Sequence, residues 1–98
     1  MRALKKMAEV VITFKVMPAS PDADFDVILD KSKEILSHFG TVGKTEFRPV
    51  AFGLKALIIY FITDESSGDK MEEMEKQLGE IEDVNSVEVE DVRRTLEI

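Results

Sequence analysis

The residues that could do bond chemistry are few. His38 is the only histidine and there is no cysteine. A zinc site or thiol nucleophile therefore has no donor set, and His38, beside Phe39 at a helix end, reads as dipole compensation or surface decoration. Ser20, Ser32, Ser37, Ser66, Ser67 and Ser86 lack any base–orienter pair. The carboxylates do not follow calcium-loop spacing, and no glycine-rich phosphate loop occurs. The turn Pro18–Ala23 has no arginine that could cradle an acyl phosphate. The chemistry that remains is recognition. In Arg48-Pro49-Val50-Ala51-Phe52-Gly53-Leu54-Lys55 an aromatic sits in a tight turn. From spacing alone, that ring either stands clear as a partner anchor or folds back onto the core. Asp91-Val92-Arg93-Arg94 presents paired guanidinium groups, which can grip carboxylates or phosphates through bidentate forks or decorate a solvated tail.

Elements that would position these groups follow from hydrophobic period. Glu9–Met17 is rich in β-branched residues and alternates, with Val10, Ile12, Phe14 and Val16 on one face. Pro18 ends it. Asp22 and Asp24 are candidate caps for a helix over Asp24–His38, where Phe25, Ile28, Leu29, Ile35, Leu36 and Phe39 form one stripe and Gly40 signals the stop. Gly43 marks a loop before a second strand, Lys44–Ala51, whose charges and proline suit an edge. Apart from Lys55 and the terminal Thr63, Leu54–Thr63 is apolar or aromatic on both parities and belongs at the centre of a sheet. A second helix over Gly68–Ile81 carries Met71, Met74, Leu78 and Ile81, with Asp69 and Glu72 resembling a capping box. Asn85–Val92 alternates as a half-exposed edge strand.

The order β-α-β-β-α-β, with right-handed crossovers, favours an α+β ferredoxin-like sandwich. Two helices would cover one face of a four-stranded antiparallel sheet ordered 4-1-3-2. The two most apolar strands then fall at its centre and the two charged ones at its edges. Because the other face lacks helices while the third strand is apolar on both sides, that face is expected to expose apolar area and mark a protein contact.

The chain has 98 residues, 44% hydrophobic and 34% charged, which allows one globular domain with a modest core. Residues 9–98 would form that domain, behind a flexible N-terminal extension over 1–8. The net charge is −7. Residues 64–83 hold nine acids and two bases, so the excess is concentrated there. This run reads as a solvated helix face, or more sharply as repulsion of wrong partners. It disfavours direct nucleic-acid binding, which needs a basic footprint. The longest apolar run, Ala56–Ile62, is far below the ~20 residues of a membrane span.

Several blocks together resemble the archaeal elongation factor 1-beta family. They are Phe14-Lys15-Val16-Met17-Pro18 with Ser20-Pro21-Asp22, Pro49-Val50-Ala51-Phe52-Gly53-Leu54-Lys55-Ala56-Leu57, Val87-Glu88-Val89, and Asp91-Val92-Arg93-Arg94. The resemblance runs from Met7 onward, and the Pro-x-Ala-Phe-Gly-Leu block is its most specific part. It implies a cytoplasmic guanine-nucleotide exchange factor for the GTPase elongation factor 1-alpha, monomeric when free, acting by binding without a cofactor or covalent chemistry. It also implies that Phe52, flanked by Gly53, presses on the GTPase near its switch region, and Pro49 and Lys55 of the same turn are expected to bind the partner with it. Eukaryotic members use a lysine near the C-terminus to disturb the Mg²⁺ and phosphate site. An ungapped match puts Glu97 there, so Arg93 and Arg94 are the nearest cations and complete the expected partner-binding set. The turn and the end of the fourth strand would lie at opposite ends of the sheet, which calls for an extended footprint. The rival readings are an RNA-binding domain stacking bases on Phe14, Tyr60 or Phe61, and a small-ligand regulatory module pairing edges as a dimer.

Overall fold

The computed structural model describes residues 8–64 and 70–96. Six elements follow in order: β1 (Ala8–Pro18), α1 (Phe25–Ser37), β2 (Thr41–Pro49), β3 (Lys55–Asp64), α2 (Met71–Gly79) and β4 (Val84–Leu96). The strands form one antiparallel sheet in the order β2-β3-β1-β4, the expected arrangement read from its other edge. The fold is the α+β ferredoxin-like sandwich. The two most apolar strands are central, and the more highly charged strands are the edges.

The core lies between the helices and one face of the sheet. Val10, Ile12, Phe14 and Val16 from β1 and Leu57, Ile59 and Phe61 from β3 meet Ile28 and Leu36 of α1 and Met74 and Leu78 of α2. Phe14 and Phe61 are fully buried, with ring centroids 6.2 Å apart in a tilted pair. Helix α1 begins where Asp24 caps it, its carboxylate accepting from the Asp26 and Val27 backbone N–H groups at 3.1 and 3.3 Å.

Boundaries shift where local signals meet tertiary demands. Gly40 is not a left-handed helix stop. A Cβ there would lie 2.5 Å from the Ile62 carbonyl oxygen and 2.8 Å from the Phe61 ring, so glycine is needed for close approach. Strand β2 starts at Thr41, and Gly43 lies inside it at a register shift between Val42 and Lys44. Strand β4 continues through Arg93 and Arg94 to Leu96, so both arginines are strand residues and not a tail. The Asp69–Glu72 cap and the extension before Ala8 lie outside the described residues. The described part of α2 starts at Met71, preceded by Lys70, which makes no side-chain cap.

The sheet's outer face corrects one expectation. Ala56 and Ile58 point away from the helices yet are fully buried, and Thr13 is 6% exposed. Tyr60, Ile62, Val11 and Met17 on the same face are only partly exposed. Charged side chains lie over part of this face. Lys44 reaches over the Tyr60 ring at 5.7 Å from its centroid, the Tyr60 hydroxyl donates to Glu46 at 3.2 Å, and Arg48 meets Glu90 at 2.9 Å. Long side chains lying flat with wet tips cover apolar surface in this way. Among the described residues, the large apolar side chains of this face are buried or half-buried rather than fully exposed.

One core position is poorly matched. Ser32 faces inward on α1, fully buried, and its hydroxyl has no hydrogen-bond partner among the described residues. An orphaned buried hydroxyl costs about 1–3 kcal/mol, and alanine is also the better helix former. Ser32→Ala is expected to raise stability by about 1 kcal/mol, a shift of about 4–8 °C in Tm for a domain this size. A lower Tm by calorimetry would show that the hydroxyl has a partner.

Candidate functional site: an exposed aromatic turn

Between β2 and β3 the chain reverses through Val50–Leu54. The Leu54 N–H donates to the Ala51 carbonyl at 3.2 Å, and the Val50 N–H donates to the Leu54 carbonyl at 2.8 Å. The two residues inside the tighter ring are Phe52 (φ 62°, ψ 33°) and Gly53 (φ 75°). Positive φ at both central positions is the signature of a type I′ turn, which suits the twist of antiparallel strands. Glycine adopts that conformation freely. Phenylalanine does not, and a non-glycine residue held there costs on the order of 1 kcal/mol or more.

The ring recovers nothing from the fold in return. Phe52 is 94% exposed, the largest exposure among the exposed large apolar residues Val27, Phe47, Phe52 and Val92. Of the two placements left open by spacing, the structure takes the outward one. A strained backbone carrying a solvated aromatic is unfavourable twice over for an isolated molecule. That combination makes Phe52 the candidate contact residue of the turn.

The remaining expected site residues fall into two groups. Pro49 and Lys55 are register partners at the base of the turn and are both exposed, so Pro49, Phe52, Gly53 and Lys55 form one cluster. Arg93 and Arg94 pair with Val11 and Val10 on β1, and Val10 is level with Thr63 on β3. Eight residue steps along β3, from Lys55 to Thr63, put the two groups roughly 26 Å apart at about 3.3 Å per step. Arg93 is exposed, and its Nε–H donates to Asp91 at 3.2 Å. Position 97 lies outside the described residues.

Sequence reasoning passed over Arg48 and Glu90 as a unit. Both Glu90 carboxylate oxygens accept from the same Arg48 nitrogen, at 3.1 and 2.9 Å. Their partnership depends on strand order and on a bulge in β4, neither of which has a local sequence signal.

The cleft between α1 and α2, about 620 Å³, is lined by Glu34, Glu73, Glu80 and Glu82 with Lys31. Those glutamates are exposed, as a solvated helix face requires. Among the described residues, no three His, Cys, Asp or Glu side chains are grouped to hold a metal ion, and no helix is long and apolar enough to cross a membrane.

This architecture is matched by known proteins. Residues 11–95 match the EF-1 guanine nucleotide exchange domain family, so the sheet, both helices and the aromatic turn together are a guanine-nucleotide exchange domain. The chain is 38% identical over 90 residues to elongation factor 1-beta of Methanobrevibacter smithii, covering 92% of this chain and all of that one. It is 40% identical over 88 residues to elongation factor 1-beta of Halobacterium salinarum, covering 90% and 99%. With elongation factor 1-beta of Nanoarchaeum equitans the identity is 39% over 75 residues, covering 76% and 91%. The chain belongs to the archaeal elongation factor 1-beta family, and its role is guanine-nucleotide exchange in translation elongation.

Proposed function

We propose that this protein promotes release of GDP from elongation factor 1-alpha so that GTP can reload, and that it does so by binding alone. The observation that carries this reading is Phe52, solvated and held at positive φ by two backbone hydrogen bonds. The turn presents the ring in a set posture before any partner arrives, so little ordering remains to oppose association. Nucleotide release follows when the GTPase binds the ring more tightly in its empty state than in its loaded state. By linkage, that difference in affinity weakens the hold on nucleotide by the same factor. No covalent bond is made or broken. Pro49, Gly53 and Lys55 complete the contact at the turn.

The direct test is release of labelled GDP from elongation factor 1-alpha with and without this protein. Acceleration that saturates with concentration supports the reading, and no acceleration overturns it.

Arg93 and Arg94 are proposed as a second, electrostatic contact about one strand length away. Exposed charges act within a Debye length of ~8–10 Å at physiological salt. The Arg93→Ala, Arg94→Ala double variant is expected to slow exchange roughly three- to tenfold at low salt, with the deficit shrinking as salt rises. A deficit that is absent at every salt concentration removes these residues from the site.

A further inference from the structure

The turn that carries Phe52 hangs from the end of an edge strand. At that point β2 has a single ladder neighbour, β3, and its last residue, Pro49, has no N–H to contribute. Such an arm should fray. Two side chains hold it instead, one on each face. On the helix side, Phe47 packs edge-to-face against Phe25 at the start of α1, ring centroids 5.2 Å apart at 83°. On the outer side, Arg48 reaches Glu90 of β4.

The second contact is unusual because β2 and β4 are opposite edges of the sheet. Three strand spacings of about 4.8 Å separate them, so both side chains must lie extended across β3 and β1 to meet. The sheet is prepared for this crossing. Arg48 is paired with Ala56, whose small side chain is fully buried, and the next residue of β3 on that face, Ile58, is fully buried as well. At the far end, Thr13 pairs with Asp91 while Phe14 pairs with Val89, which leaves Glu90 as the extra residue of a bulge. A bulge re-aims the side chain it carries. Their side chains are 42% and 28% exposed.

We infer that Arg48 and Glu90 are positioning residues for exchange: their ion pair straps the outer edges of the sheet together and fixes the arm from which Phe52 projects. This rests on Phe52 being the anchor. The strap then acts on the free protein, by removing motion that binding would otherwise have to freeze. Once the complex has formed the same contacts exist with or without the strap. Its loss therefore raises the concentration needed for half-maximal exchange and leaves the saturating rate unchanged.

The test uses the full chain with Arg48→Ala, Glu90→Gln and the reversed pair Arg48→Glu, Glu90→Arg. Each single variant is expected to raise the half-saturating concentration in the GDP-release assay roughly three- to fivefold, the size a partly exposed ion pair supplies. The saturating rate stays constant and the reversed pair restores the original value. Amide hydrogen exchange on the protein alone should quicken by a similar factor at Val50 and Leu54, but not at Phe14 or Ile59. A direct contact of Arg48 with the GTPase predicts otherwise: Glu90→Gln would free the guanidinium and leave exchange unchanged or faster, and the strap is then wrong. Equal quickening of all amides, or none at Val50 and Leu54, also overturns it. In a Phe52→Ala background, Arg48→Ala should add no further loss. If Phe52→Ala alone leaves GDP release intact, the anchor reading fails, and the hydrogen-exchange result still judges the strap.

Discussion

Phe52→Asn is expected to slow stimulated GDP release about 30-fold or more while raising the melting temperature of the protein. The first effect follows from the size of a central aromatic contact, at least ~2 kcal/mol when truncated. The second follows from the backbone. At φ 62° the phenylalanine is strained, and asparagine tolerates that region far better. Because the ring is 94% exposed, the folded chain loses almost no packing when it goes. Relief of about 1 kcal/mol would raise Tm by roughly 4–8 °C. Most substitutions that abolish activity also weaken a fold, so opposite signs here are diagnostic. Phe52→Ala separates the two effects, since it removes the ring without giving the backbone a residue suited to positive φ. A folded Phe52→Asn variant with wild-type exchange kinetics would falsify the anchor.

At the opposite extreme stands Phe61→Ala, which is expected to lower unfolding free energy by about 3–5 kcal/mol. The ring is fully buried, pairs with Phe14, and lies against the backbone at Gly40. Small domains have only about 5–15 kcal/mol in total. The variant should therefore be partly unfolded at modest denaturant, and its exchange activity should fall only with the folded fraction. Urea titration reads the change directly. A loss under 1 kcal/mol would mean that this side of the sheet is not the packed core. Phe61→Leu, which keeps most of the volume, should lose less than half as much.

The architecture was legible because it rests on period and charge. β1 and β3 are the two most apolar strands and had to be central, and Asp24 stands where a helix needs an acceptor for its first free N–H groups. Phe52 was legible as a candidate but not as a conformer. Its exposure is set by two hydrogen bonds that close the turn, and residue spacing does not register those. Gly40 fits a helix stop in the sequence because glycine serves both that purpose and close approach, and only the position of the Ile62 carbonyl separates them. The outer face was misjudged for a related reason. Ile58 looks exposable on parity, but Arg48, Glu46 and Lys44 fall on the same face at the register the turn imposes. Arg48 and Glu90, 42 residues apart, become neighbours only after strand order and a bulge are known.

The partly covered outer face has a consequence for turnover. A catalyst that works by docking must also let go, and dwell time grows with the apolar surface withdrawn from water on contact. Had the broad side of the sheet been greasy, a GTPase once captured would be slow to leave, and the next one would wait. On the proposed reading, a face where Lys44, Glu46, Arg48 and Glu90 lie over buried Ala56 and Ile58 would keep the sticky area small and each visit brief.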